Sequence, residues 1–411
     1  MCRYFLAGRI GRYFVEPTFH FTYFGFGWVR PWPEGGLYVH FALLGAAAAC
    51  VSLGFLYRLA APLLFVGFAY VFLLEKALYL NHFYLIVLLA FLLALLPAHH
   101  GDSLDARRRG GNRAVPRYAI ALLRTQIGIV YLYAGIAKLN ADWLRARPLL
   151  AWLEARSSLP VVGSLVAQDW VAWAFSYGGL LLDLLAWPLL ALRRTRAAAF
   201  LVIVAFHAAN SILFRIGIFP WLMIVATTIF FEPDWPRRWL GLGERKTPLL
   251  PPPPPRRRLV IPLLAAYVAI QALVPLRHFL YPGDVAWTEE GHAFSWRMKL
   301  RGKSAELSYL VTDPVTGESF RVDPKAELPH WQEKSVGGRP DLILQYAHHI
   351  AEKRRAETGR RPEVRASVRA RLNGRPPRLL VDPLADLAAE RRSLLPAKWI
   401  VPLEDEGGAA R

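Results

Sequence analysis

Cysteine is nearly absent from this chain, with two in 411 residues. Cys2 is terminal and Cys50 lies inside an apolar run, which excludes a disulfide framework and a cysteine-based metal site. Acidic residues are also scarce, 31 against 50 basic ones, giving a formal net charge of +19. Such an excess would suit nucleic acid if it formed a patch on a soluble domain. Here the arginines gather in short links between long hydrophobic runs, where membrane insertion topology accounts for them, and no nucleic-acid partner is expected. A phosphate-cradling glycine loop and a GxSxG elbow are both missing. The pairs His99-His100 and His348-His349 are adjacent and lack the i, i+4 spacing of one helix face, so no metal is expected. Met1–Pro17 contains Arg3, Arg9 and Arg12 without a clean apolar stretch and does not read as a cleavable signal peptide. There is no internal repeat.

What the chain has in abundance is apolar sequence: 54% hydrophobic residues, including 14 Trp and 23 Phe. Its first two thirds hold runs long enough to cross a bilayer as helices. These runs predict spans at Leu37–Tyr57, Ala61–Tyr79, His82–Pro97, Tyr118–Lys138, Val171–Leu192, Ala197–Leu213, Ile216–Phe231 and Leu259–Leu280. His82–Pro97 is short, and Gly217 with Pro220 lets Ala197–Phe231 form either two spans or one broken span. The expected fold class is therefore a polytopic α-helical membrane bundle of about eight helices, followed by a soluble α+β, β-rich C-terminal domain. Residues 1–36 form an aromatic interfacial segment, 37–280 the transmembrane domain and 281–411 the soluble domain. Pro251–Pro255 is a stiff spacer within the longest linker.

In the soluble part, Ala293–Leu300 and Glu363–Leu372 alternate at period two, as half-buried strands do. Asn373-Gly374 signals a hairpin into Pro377–Asp382. Asp341–Arg354 reads as an amphipathic helix. Arginines set the expected orientation. Arg107–Arg109, Arg113 and Arg117 form one cluster, Arg193, Arg194 and Arg196 a second. Arg237, Arg238, Arg245, Lys246 and Arg256–Arg258 form a third. With these links cytoplasmic, Lys138 and everything after Leu280 lie on the opposite, extracytoplasmic side.

Charge at membrane depth is the most informative feature. Lys138 closes the apolar stretch Tyr118–Lys138. An ionisable group there costs a few kcal/mol and marks a functional site, unless the lysine snorkels to the headgroups. Both readings stand on this helix alone. His207, Asn210 and Ser211 share one helix face. They serve either as interhelical hydrogen-bond glue or as a site. Asn81-His82 open the third span, and Asp183 either neutralises a buried base or takes part in chemistry.

The block Ala134–Trp143 (AGIAKLNADW), with Phe206–Ile224, Glu232–Arg238, Leu280–Leu300 and Pro340–Ala351, resembles the vitamin K-dependent gamma-glutamyl carboxylases. It is most similar to their bacterial relatives with the HTTM membrane domain. The resemblance implies an integral membrane enzyme, of the bacterial inner membrane, that couples oxidation of vitamin K hydroquinone or a related quinol to carboxylation of glutamate in a protein or peptide. Oxygen and carbon dioxide are the co-substrates. It implies Lys138 as the base that deprotonates the quinol, with His82 and Asn81 in the catalytic group. His207 and Asn210 match polar positions near the quinone. Asp142, Trp143, His292 and Trp296 complete the quinone- and substrate-binding set, since the segment before Ser295-Trp296 resembles the part linked to glutamate. Asn140 stands where the animal enzymes have aspartate, and Glu289, Glu290 and His292 make TEEGHAFSW more polar. The chain is expected to lack one N-terminal helix and to end short of the animal enzymes. Two other readings are kept: quinol oxidation without carboxylation, and a non-catalytic membrane binding or immunity-type protein.

Overall fold

The apolar runs become helices in a computed structural model that describes residues 2–33, 35–111, 114–214, 216–241 and 257–403. Arg113, Arg215, Arg245, Lys246, Pro251–Pro255 and Arg256 lie outside the described residues, as do the side chains of Arg257 and Arg258. Eight helices match the expected spans: α1 Gly36–Leu53, α2 Tyr57–Leu74, α3 Asn81–Leu95, α4 Arg117–Ala137, α5 Asp169–Ala191, α6 Arg196–Leu213, α7 Phe219–Thr227 and α8 Arg257–Leu273. Six of the segments are long and apolar enough to cross a membrane, α8 counting with the turn to Leu280. The helices α3 and α7 are shorter. Gly217, in the left-handed region at φ 70°, and Pro220 in the first turn of α7 separate α6 from α7, so two helices form where one broken span was the alternative.

Helix α4 is the axis of the bundle, with 61% of its apolar window buried against 11% for the last span. Two glycines bring α5 against it. A Cβ on Gly128 would lie 2.2 Å from the Trp187 ring, and one on Gly135 would lie 2.7 Å from Leu184. Small residues permit such backbone approach where apolar burial gives no drive inside lipid. The polar residues of α4 are used. Arg124 donates to the carbonyls of Ile229, Phe230 and Phe231, capping the end of α7, and Gln126 accepts from Tyr267 at 2.6 Å.

The C-terminal part is a four-stranded antiparallel sheet, in the order β2-β1-β3-β4. Its strands are β1 Lys303–Thr312, β2 Ser319–Val322, β3 Glu363–Leu372 and β4 Arg378–Leu379. Val364, Ala366, Val368, Ala370 and Leu372 of β3 are buried, and the core they share includes Ile343 and Tyr346 of helix α9 (Pro340–Thr358). Asn373 and Gly374 both take positive φ and turn β3 into β4.

The segment Ala293–Leu300 is a correction: its alternation suggested a strand, yet it forms turns and no strand. Phe294, Trp296 and Lys299 all have positive φ. Its side chains are divided between two environments rather than two sheet faces. Trp296 and Met298 pack into the membrane core with Leu85, Tyr131 and Phe230, whereas Phe294, Arg297 and Lys299 line a cavity.

The two parts are joined by polar locks. Arg375 grips Asp142 through two 2.6 Å contacts, and Asn373 adds a third at 2.7 Å. Glu75 accepts from Gln332 at 2.9 Å, and Lys76 pairs with Asp341. The aromatic N-terminal stretch divides. Phe21 is buried in the core of the sheet domain, while Phe24, Phe26, Trp28 and Trp32 remain exposed.

Candidate active site

Lys138 terminates α4, and its side chain turns inward instead of snorkelling. Its Nζ donates to Asp183 Oδ2 at 2.5 Å and to the Ala134 carbonyl at 3.2 Å, and it lies 5.3 Å from the centre of the Trp143 ring. Both partners of the ion pair are buried, 7% and 8% exposed. A buried pair survives desolvation only when its geometry is good and its remaining donors are satisfied. Glycine at 179 leaves room here, since a Cβ would meet Phe206 at 3.5 Å and the Lys138 Cε at 3.9 Å.

From this pair the site continues through aromatic contacts. Phe206 and His207 have ring centres 5.4 Å apart. His207 shares a 3.2 Å hydrogen bond with the Tyr131 hydroxyl, which also bonds Thr227 Oγ1 at 3.1 Å. The Phe219 ring sits 6.0 Å from His207 and 6.2 Å from His82, so it contacts both imidazoles. Lys138, His82 and His207, separate in sequence, are thus members of one buried constellation.

Asn81 stands at its border. Tyr79 donates to Asn81 Oδ1 at 2.9 Å, Asn81 Nδ2 donates to the Arg297 carbonyl at 3.3 Å, and Asn81 lines the cavity outside. Asn210 is half-buried on α6 one turn beyond His207. Trp143 is buried, its Nε1 donating to the Ser176 carbonyl at 2.9 Å beside Lys138. Asp142 is engaged by Arg375 and Asn373 as described. Trp296 is fully buried, stacks on Tyr84 at 5.0 Å, and its Nε1 finds no acceptor among the described residues. Sequence reasoning passed over Tyr131 and Thr227. Tyr131 lies two helical turns before Lys138 and so on its face, which was a usable signal. Thr227 had none.

Residues 1–235 match the HTTM domain family, and residues 256–406 match the lumenal domain of vitamin K-dependent gamma-carboxylase. The chain belongs to the gamma-carboxylase family. No solved structure matches it. In this carboxylase-family protein the sheet domain and the bundle together line an open cavity of about 1000 Å³. Asn81, His292, Arg297, Arg301 and Arg339 are in its wall with Glu289 and Glu290, and basic side chains outnumber acidic ones there.

Glu289 is the counterweight to that wall. Arg301 pairs with it directly, Lys303 is 3.9 Å away and His292 Nδ1 3.8 Å away. Burial pushes the Glu289 carboxyl up, but the cations beside it, Arg301 foremost and then Lys303, outweigh it and hold the group at about 2. Burial also keeps the His292 imidazole neutral, lowering it to about 3. Burial likewise lowers Lys303 to about 7.

These shifts have a definite sign. As pH falls below the ordinary histidine value of 6.5, the unfolded chain takes up a proton that folded His292 refuses, so stability drops. Between pH 6.5 and 5 the loss is about 2 kcal/mol, at roughly 1.4 kcal/mol per unit. The Glu289 contribution is present above its ordinary 4.5 and is lost only as pH falls toward about 2. Hydrogen-exchange protection factors over 285–303, corrected for the intrinsic pH dependence of exchange, are expected to fall from pH 7 to 5, and His292→Gln should flatten that dependence. An unchanged slope in the variant would reject the assignment.

Proposed function

We propose that the chain oxidises a reduced naphthoquinone at the Lys138–Asp183 site and uses that chemistry to carboxylate glutamate side chains of a peptide held in the basic cavity. The observation that carries this reading is the buried Lys138–Asp183 pair, joined through Phe206, His207 and Phe219 to His82. A naphthoquinol is a flat apolar ring system with oxygens at opposite edges. Aromatic walls, nitrogen groups at the rim and the unmatched Trp296 N–H suit it in chemical type. Vitamin K hydroquinone, oxygen and carbon dioxide supply the oxidation and the carboxyl group when bound.

The chain's own residues do the proton work. As the Lys138 ammonium passes a proton to Asp183 Oδ2, its freed amine takes the quinol hydroxyl proton, so the pair ends with Lys138 charged and Asp183 protonated. Tyr131 and Thr227 fix the ring of His207, and Asn81 connects the buried site to the cavity. Water is excluded by Phe206, Phe219 and Trp143, which protects reactive species from quenching. In the cavity, Arg297, Arg301 and Arg339 attract peptide carboxylates. The Arg375–Asp142 contact near the Lys138 end of α4, with arginine-rich links read as cytoplasmic, supports an extracytoplasmic sheet domain where exported substrates pass.

The test uses purified protein in nanodiscs with reduced vitamin K, oxygen, labelled bicarbonate and a glutamate peptide. Epoxide and fixed label are expected together. Epoxide without label reduces the function to quinol oxidation, and neither product overturns the enzymatic reading.

A further inference from the structure

The loop Arg391–Lys398 (RRSLLPAK) carries an exposed leucine pair, Leu394 at 66% and Leu395 at 75% exposure. The loop is held at three points. Arg392 donates to the Thr22 hydroxyl at 3.0 Å and carbonyl at 2.8 Å, the Ala397 amide donates to Glu290 at 2.8 Å, and Tyr281 donates to the Leu394 carbonyl at 2.8 Å. A fixed loop that displays two adjacent leucines to water forgoes roughly 1.5–3 kcal/mol of burial for each. The tip therefore calls for an apolar cover.

Position identifies the cover. Tyr281 directly follows Phe279 and Leu280, which are exposed at the end of the last span. The hydrogen bond to Tyr281 therefore sets the leucine tip at the level where that helix leaves the bilayer. Leu394 and Leu395 also line the same cavity as Phe24 and Phe26 of the aromatic N-terminal stretch, so two apolar edges share that cavity. Arg391 and Lys398, exposed on either side of the tip, complement anionic headgroups. We propose that Leu394 and Leu395 insert at the acyl boundary of the leaflet beneath the sheet domain, with Arg391 and Lys398 on anionic phospholipid. The loop thereby holds the cavity at the membrane surface, where a membrane-adjacent segment of substrate enters. The role in substrate entry rests on the proposed function, whereas insertion of the tip is measured without turnover and fails or holds separately from it.

The experiment places single spin labels in the full chain, in a Cys2→Ser, Cys50→Ala background, reconstituted in nanodiscs containing phosphatidylglycerol. Labels go at Leu395→Cys, at Leu394→Cys as a second site, at Val315→Cys in an exposed turn of the sheet domain, and at Leu263→Cys on the last span. The ratio of oxygen to nickel-chelate accessibility at 395 and 394 is expected to approach that at 263, about tenfold above 315. Arg391→Glu with Lys398→Glu should lower it severalfold. Values at both sites matching 315 would overturn the proposal. Protection from both oxygen and nickel would also overturn it, by assigning the tip to a protein partner.

Discussion

Lys138→Met is expected to lower quinol oxidation by a factor of about 10²–10⁴, the range for loss of a positioned general base. The same change leaves Asp183 buried without its cation, at a cost of roughly 3–5 kcal/mol in stability. The two losses are separable because the pair can be removed as a unit. Lys138→Met with Asp183→Leu eliminates both charges in similar volume, and such replacements are often neutral or stabilising. The double variant should therefore regain thermal stability in detergent while its quinol turnover stays at the Lys138→Met level. Lys138→Arg supplies the complementary case. It keeps a cation beside Asp183 but cannot give up its proton, so it should fold and fail to turn over. Turnover within a few-fold of the parent in Lys138→Arg would reduce the pair to a structural ion pair.

The membrane helices were legible because a bilayer demands long apolar runs: six of the eight expected spans are helices long enough to cross, and the other two, His82–Pro97 and Ile216–Phe231, are the shorter helices α3 and α7. Lys138 and Asp183 were each visible as charges in apolar surroundings. That Asp183 neutralises a buried base was one of its two sequence readings, but which base it meets was not fixed, because the contact joins residues 45 apart through the packing of two glycines of α4 against α5. His82 and His207 could be singled out by type, but the Phe219 ring that contacts both depends on where the α6–α7 turn places α7. The period-two pattern of Ala293–Leu300 misled for a physical reason. Alternation counts apolar positions without knowing their surroundings, and here Trp296 and Met298 enter the membrane core while Phe294 and Leu300 of the same register line the cavity. Three left-handed residues replace the strand, and strained backbone of this kind is held only where the surroundings over-determine it.

Glu289 shows how that arrangement is maintained, and its replacement has the second large expected effect. It sits at φ 63°, where glycine would relieve the backbone, yet its carboxylate faces Arg301, Lys303 and His292 with Arg297 and Arg339 in the same cluster. Charge outweighs strain at this position. Glu289→Gly removes both, so the backbone change favours the variant while the electrostatic change opposes it. Destabilisation of roughly 3–5 kcal/mol is still expected, because buried cations are left uncompensated. It should be read as rapid proteolysis after Arg297 and Arg301. Glu290→Gln is the control, since that half-buried carboxylate accepts one amide hydrogen bond that the glutamine oxygen can keep, and the change costs at most about 1 kcal/mol. If Glu289→Gly melts and resists protease like Glu290→Gln, the basic wall does not depend on its carboxylate, and the electrostatic account of the cavity fails with it.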